Sequence, residues 1–492
     1  MADAPPPPAV PRALAVALCA RQRAIGAGPR AEANALALAD GALVVATGQQ
    51  PGLLGGPLLA AHKAMGAVAL ARAEAERSGR PVVPVFWVAS EDHDAVEVDR
   101  AVVMDVAGAP RALLLGLVPD GRSVRDLPLE AAAVERVLAG LRAALPSTER
   151  ARAALELARP PVGADLGTWF ARVLCACLGD TGLVFVEPHE VASFAGPTYA
   201  GLVRDGEAIQ QAVRAAGVAR RAAGGLAPLD PAPATAPLFV REAPGGPRRR
   251  ISFDGDAVLL RGATSPFTRE RLAAHVAASP ELASGDVVGR VFVQGAVFPV
   301  VAIVAGPTEA AYLAQIAEAH RAVGLAAPTI VVRPSATWVE AKVEEALEAA
   351  GVSVEDVLSG RARPPEAAPD ATDPLEQRTQ SLLDAARALE VEAEPAPGLR
   401  AAARAVAQGL EKALRAHRDE RETRAGRGRA RFDRALAALC PLGEPQERVL
   451  CPLSIVARHG VEGFRAGLSS LGGPGTHRIV RLGASAPAAP PT

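Results

Sequence analysis

The sequence predicts an α/β fold: a parallel-sheet core interrupted by an inserted connecting segment, with an α-helical antiparallel coiled-coil domain near the C-terminal end. Three observations predict it. Two near-continuous apolar runs, ALVVA at 42–46 and PVVPVFWVA at 81–89, flank a helix-like run, LLAAHKAMGAVALARAEAER, at 58–77. Strands that read as unbroken apolar runs belong to a parallel sheet covered on both faces. Across residues 341–440, alanine, leucine, glutamate and arginine displace glycine and valine, and two helical stripes, 374–394 and 399–426, are separated only by PAPG. Two long helices joined by so tight a turn form an antiparallel hairpin.

The elements follow in order. Residues 1–30 open with MADAPPPPAV, a proline-rich lead expected to be partly disordered. It lacks the basic start and apolar core of a secretory signal. Residues 31–190 form the first part of the core. A right-handed crossover places the carboxyl ends of its first two strands on one sheet edge, where open α/β sheets bind ligands. Those ends read TGQQ (47–50) and SEDHD (90–94), and a third strand is expected near 98–106. Residues 125–180 read as helices broken at Pro146 and at Pro160 and Pro161, and LVFVEP (183–188) as another buried strand. Residues 191–285 read as the insertion, carrying a hairpin, PLFVREAPGGPRRRISF, with glycine and proline at its tip. The core resumes over 286–340. Here 287–316 reads as two strands, a GPTE turn and a helix, and 327–340 as a strand ending in RPSAT before a helix. The helical domain occupies 341–440, and 441–492 returns to the core with PQERVL, a helix and a final strand, HRIVRL.

Charge excludes some functions. Basic and acidic residues number 53 and 54, so nothing draws the whole chain toward nucleic acid or an anionic membrane. The RRRI run after Pro247 reads as a solvated hairpin face. No apolar stretch reaches the roughly 18 residues of a bilayer span. Five cysteines without a CxxC pair argue against a disulfide framework. Cys175 and Cys177 read as buried, and a reducing cytoplasm is the expected compartment. Only Lys63, Lys342 and Lys412 are lysines among the 53 basic residues. A retained lysine hints that an ammonium is wanted, and Lys63 falls just beyond a glycine loop.

That loop is TGQQPGLLGGP, residues 47–57. A strand–glycine-loop–helix unit offers backbone N–H groups at a helix N-terminus, where the dipole favours an anion. Neither GxxxxGK[ST] nor GxGxxG is present, so a turn needing Gly52, Gly55 and Gly56 for geometry alone is the competing reading. Thr47, Gly48, Gln49 and Gln50 add uncharged donors and acceptors suited to a polar substrate. His62 and Lys63 on the next helix could each reach an anion held there. At the second strand end, Glu91, Asp92 and Asp94 surround His93. Such a group could act as general base toward an amine or hold a divalent cation; the alternative is a polar cap on the next element. No second His or Cys sits at zinc-ligand spacing, and no metal ligands are assigned.

TGQQPGLLGGPLLAAHKA (47–64) followed by PVVPVFWVASEDHDAVEV (81–98) closely resembles the bacillithiol-biosynthesis cysteine-adding enzymes, the BshC family. The resemblance continues through AGPTEAAYLAQ (305–315), RPSATWVE (333–340) and PQERV (445–449). It covers essentially the whole chain from about residue 35. It implies a Rossmann-like core with inserted segments and a helical coiled-coil domain that makes a homodimer, here through residues 374–440. It also implies the last step of bacillithiol synthesis, which joins the cysteine carboxyl to the glucosamine amine of glucosaminyl-malate. Matching positions add Arg290, Gln294, Gly306, Glu309, Tyr312, Arg333, Ser335, Gln446 and Arg448 as substrate- or nucleotide-binding candidates. One departure is Gly295, which stands where relatives carry an acidic residue; if that carboxylate serves metal or amine, activity is altered.

Amide formation from a free carboxylate must be driven, so ATP is the expected co-substrate, with Mg2+ either accompanying it or held by EDHD. Lys63 or an arginine would stabilise charge developing on phosphate. Asp92, His93 or Asp94 would take the amine proton. A malate carboxylate would suit Arg290 or Arg333, although Arg333 reads equally well as a clamp on its own strand end. Lys63→Arg is expected to keep the fold and lose turnover if Lys63 meets the activated intermediate. A transferase acting on another sugar or acid, and a dimeric scaffold without chemistry, are the competing functions.

Overall fold

The structure is a computed structural model that describes residues 8–260, 263–363, 373–394 and 396–482. It divides into two compact units, Met1–Trp338 with Glu444–Thr492, and Val339–Gly443.

The first unit is built on a five-stranded, wholly parallel sheet. Its strands are β1 (Leu43–Gln49), β2 (Val82–Val88), β3 (Val184–Val186), β4 (Val300–Ala305) and β5 (Thr329–Val332), in the spatial order β5-β4-β1-β2-β3. Val44, Val45, Val85 and Phe86 are each at most 1% exposed, because helices cover both faces, and this is why the strands read as unbroken apolar runs. From β1 the chain builds outward through β2 and β3, then re-enters on the other side for β4 and β5. The strand order therefore reverses between β1 and β4, which opens a crevice at their carboxyl ends.

Several expectations are corrected. The segment 1–30 is not mainly a lead: Arg12–Ile25 is a helix within it, the helix Pro29–Ala37 begins at its end, and Leu14, Leu18 and Ile25 are buried. Residues 1–7 lie outside the described residues. The strand expected near 98–106 is Arg100–Met104, and it pairs antiparallel with Pro110–Leu114 in a separate ribbon. Residues Gly289–Val297 form a helix, not a strand; a short apolar run carries no period that separates the two. Ser335–Glu340, read as leading into a helix, is itself a strand.

The stretch 191–285 holds three α-helices, Gly196–Arg204, Gly206–Ala222 and Arg269–Ala278, and a five-stranded antiparallel sheet. The expected hairpin is the Thr235–Val240 and Arg249–Asp254 pair of that sheet, with Phe239 opposite Arg250.

In the second unit, Pro374–Glu392 and Pro397–Leu439 pack as a helical hairpin around Leu383, Ala386, Ala407 and Leu414. Ion pairs Arg404–Glu390 (2.6 Å) and Arg418–Glu376 (2.7 Å) join opposite ends, so the helices run antiparallel. No helix among the described residues is long and apolar enough to cross a membrane. The five cysteines form no disulfide; Cys175 and Cys177 are buried, and burial pushes the Cys177 thiol up to about 12.

Candidate active site

A cavity of about 660 Å³ lies at the carboxyl ends of β1, β2 and β4. From β1 it is lined by Gly48, Gln49 and Gln50; after β2 by Glu91, Asp92 and His93; after β4 by Gly306, Thr308 and Glu309. The strand pairing explains Gly48. A Cβ there would sit 2.7 Å from the Trp87 carbonyl oxygen of β2. Thr47 turns the other way and donates its hydroxyl to the Val304 carbonyl at 2.8 Å, fastening β1 to β4. Three buried atoms on cavity-lining residues, Gln50 Oε1, Trp87 Nε1 and Arg333 Nε, have no hydrogen-bond partner among the described residues.

Lys63 enters from the helix Leu58–Ser78 and is 4% exposed. Its ammonium donates to the Gly48 carbonyl (2.9 Å) and Gln49 Oε1 (3.0 Å), and pairs with Glu309 at 2.5 Å. Burial lowers the Lys63 pKa, opposed by Glu309. Although burial works against it, Lys63 and Arg290 hold the Glu309 carboxyl below its ordinary value. Lys63 is thus neither a solvated helix residue nor a free cation.

His62 is one residue away but about 100° round the helix, and it does not reach the cavity. Its Nδ1 bonds Glu447 at 2.9 Å and its Nε2 accepts from the Trp338 indole at 3.3 Å. Arg333 grips the same Glu447 with two bonds, 2.7 and 2.6 Å. Against the cost of burial, His62 and Arg333 hold Glu447 down at about 2. Arg333 borders the cavity, but its two terminal nitrogens are committed to Glu447, so the clamp reading fits it better than substrate binding. Arg290 also borders the cavity and gives one hydrogen bond to the Tyr312 hydroxyl (3.0 Å), with Glu309 at 3.8 Å.

The glycine loop is mostly buried. Gly55, at φ +84°, packs against Val173, and Gly56 against Phe170. The first N–H of the following helix, that of Leu58, donates to the Leu450 carbonyl at 2.8 Å. The helix start expected to hold an anion is therefore plugged in part by the chain's own tail. Gly52 and Gly56 instead line a neighbouring cavity of about 510 Å³, which shares Gln49, Gln50, Leu59, Glu97 and Arg448 with the first.

At the acidic tip, Ser90 is wholly buried and donates to Glu187 at 2.6 Å, which anchors the turn. Asp92 accepts from Gln50 Nε2 at 2.6 Å. Burial raises its pKa, but that bond and Arg248 bring it below the ordinary value. Asp94 caps the short helix Ala95–Val98, accepting from Glu97 N at 3.2 Å, and does not line the cavity. Burial lifts the Glu91 carboxyl to about 7 despite Arg248, Arg241 and Arg125.

The inserted segment closes the cavity with residues that sequence reasoning missed, Phe239, Arg248 and Arg250, joined by Asp286 just after its last strand. The RRRI run is not a solvated face throughout. Arg248 is 6% exposed, lies 4.1 Å over the Phe239 ring, and bonds Ser284 Oγ (2.9 Å), the Gly285 carbonyl (3.1 Å) and His93 Nδ1 (3.2 Å). Arg250, two residues on, faces the same ring at 4.8 Å. That period of two was the signal available in the sequence.

Three other candidates lie elsewhere. Ser335 bonds His477 Nδ1 at 2.8 Å. Gln446 binds both backbone groups of Trp338, at 2.8 and 2.9 Å. Gln294 and Gly295 border a different, mainly apolar cavity beside Phe298 and His320. The missing carboxylate at 295 therefore takes nothing from the first cavity. Among the described residues, no cluster of three or more His, Cys, Asp or Glu is placed to hold a metal ion.

Comparison with known proteins follows the same segments. A family model described as "Bacillithiol biosynthesis BshC, N-terminal Rossmann-like domain" matches residues 8–334. Proteins named "Putative cysteine ligase BshC" are similar over most of the chain. The one from Shouchella clausii is 32% identical over 444 residues, 86% of this chain and 81% of that protein. That from Koribacter versatilis is 30% identical over 489 residues, 95% and 89% of the two chains. That from Geobacillus thermodenitrificans is 29% identical over 471 residues, 90% and 85%.

Proposed function

The chain belongs to the BshC family of bacillithiol biosynthesis, and on that premise we propose that it is a cysteine ligase. It joins the carboxyl of cysteine to the glucosamine amine of glucosaminyl-malate in an amide bond. One observation carries the reading: the separate segments that bear the family likeness, TGQQ, SEDHD and GPTE, line one cavity at the reversal point of the sheet.

The cavity's chemistry suits these substrates. Arg290 is the cation we assign to a malate carboxylate, since it lines the cavity and Arg333 is already clamped to Glu447. Gln50 Oε1 and Trp87 Nε1, both without protein partners, suit sugar hydroxyls. A carboxylate does not acylate an amine in water unless activated, so ATP is proposed as co-substrate. The neighbouring cavity, with Gln49, Gln50 and Arg448 in the shared wall, gives room for it. Mg2+ is proposed to accompany the nucleotide phosphates, where one or two protein carboxylates suffice to complete its shell.

The scaffold alternative loses its support, because Gly295 lies outside the cavity. The proposed assembly is a homodimer through the helical hairpin, where Leu375, Leu382 and Leu389 recur every seven residues and are 65%, 60% and 42% exposed. A cytoplasmic setting with small-molecule partners, not nucleic acid or membrane, completes the reading. The test is incubation with cysteine, glucosaminyl-malate, ATP and Mg2+. Bacillithiol detected by mass supports the ligase, and its absence with an ATP-hydrolysing, folded protein points to another acid or sugar.

A further inference from the structure

We propose that Glu91 is the general base of the ligation, an assignment that rests on the ligase reading above. Five carboxylates line the cavity: Glu91, Asp92, Glu97, Asp286 and Glu309. Three of them are occupied. Asp92 accepts from Gln50 and from the His93 backbone (2.7 Å), Asp286 from the backbones of Val288 (2.8 Å) and Gly289 (3.0 Å), and Glu309 is paired with Lys63. Glu97 is exposed on the short helix at the rim. Glu91 is half-buried, and no hydrogen bond or ion pair engages its carboxylate among the described residues.

Its backbone is held in place by the segment Ser123–Arg125. Ser123 Oγ donates to the Glu91 carbonyl at 2.8 Å, and Val124 N and Arg125 N donate to the carbonyls of Asp92 (2.7 Å) and Ser90 (3.2 Å). The side chain is thus free while its base is fixed, as a proton acceptor requires. The charged and titratable groups around it come from three elements: Arg241 and Arg248 from the inserted sheet, Arg125 and Asp126 from the turn Val124–Asp126, and Tyr199 from the helix Gly196–Arg204. Burial prevails over the arginines and leaves the Glu91 carboxyl at about 7. A base works best when its pKa lies near the working pH.

In the step, the amine lone pair forms the new C–N bond to the activated acyl carbon of cysteine. The bond from that carbon to the nucleotide-derived leaving group breaks with its electron pair, and the amine N–H proton passes to Glu91.

The test compares wild type, Glu91→Gln and Glu91→Ala in the bacillithiol assay from pH 5.5 to 9. Wild-type kcat is expected to rise with pH through an inflection near 7. Glu91→Gln should lose about 100-fold or more in kcat, with KM changed less than threefold and no inflection near 7. Formate should restore part of the Glu91→Ala rate, a rescue that a merely structural role would not give. Product formation with undiminished Glu91→Gln turnover, or an inflection that survives in it, overturns the assignment alone. A wild type that makes no bacillithiol overturns the ligase reading, and the assignment with it.

Discussion

Replacing Lys63 with methionine should destabilise the first unit by about 3 kcal/mol. The ammonium makes three contacts of 2.5–3.0 Å, and the side chains of Lys63 and Glu309 are 5% and 16% exposed. Removing one partner of a buried ion pair costs about 3–5 kcal/mol, because the other charge stays buried. Glu309 would keep Arg290 at 3.8 Å, the Gly306 N–H and the Tyr312 hydroxyl, which places the cost near the lower end. Methionine preserves the stem's volume, so packing adds little. The assay is urea unfolding followed by tryptophan fluorescence, since the chain's three tryptophans, Trp87, Trp169 and Trp338, all lie in the first unit. With Glu309→Gln the two changes should couple by about 2 kcal/mol in a double-mutant cycle. Lys63→Arg, expected from sequence to keep the fold, should also lose about 1–3 kcal/mol, because a planar guanidinium cannot reproduce the ammonium's three contacts with the Gly48 carbonyl, Gln49 and Glu309. Additive single changes, or a Lys63→Met protein within 0.5 kcal/mol of wild type, would refute this reasoning.

Glu447 sits at about 2 in the folded chain against an ordinary 4.5. Its depressed pKa gives stability that is present above pH 4.5 and lost as pH falls to 2, about 3 kcal/mol in all. Glu447→Gln should show that deficit at pH 7 and none near pH 2 in the same unfolding assay. Arg248→Met should cut kcat/KM at least tenfold in the bacillithiol assay, since Arg248 holds His93 and borders Glu91; unchanged kinetics would remove the inserted sheet from the site. Leu382→Glu should turn a dimer into a monomer by sedimentation at micromolar concentration, and a monomeric wild type would defeat the dimer proposal.

The sheet was legible because its chemistry is local. Residues 42–46 and 81–89 had to be buried on both faces, and the crossover rule then put TGQQ and SEDHD on one edge. GPTE joined them because its strand, β4, runs parallel beside β1. Other readings failed for want of a partner in view. The helix at Gly289–Val297 and the strand at Ser335–Glu340 carry short apolar runs that fit either state. His62 and Lys63 were each read as able to reach an anion at the loop, yet the helical turn sends one to Glu447 and the other to Glu309.

The sequence by itself determined the parallel α/β core, the helical hairpin and the shared sheet edge of TGQQ and SEDHD, since these depend on periodicity, turn chemistry and chain handedness. Only the tertiary structure decided what each polar group does once there. It plugged the expected anion site with the Leu450 carbonyl, tied Lys63 to Glu309, capped a helix with Asp94 and brought Arg248 across from an insertion some 155 positions away from His93. The reason is physical. Apolar burial repeats along the chain and can be read from spacing, whereas the state of a charge is set by its desolvation and by partners within a few ångströms, which the chain supplies from anywhere.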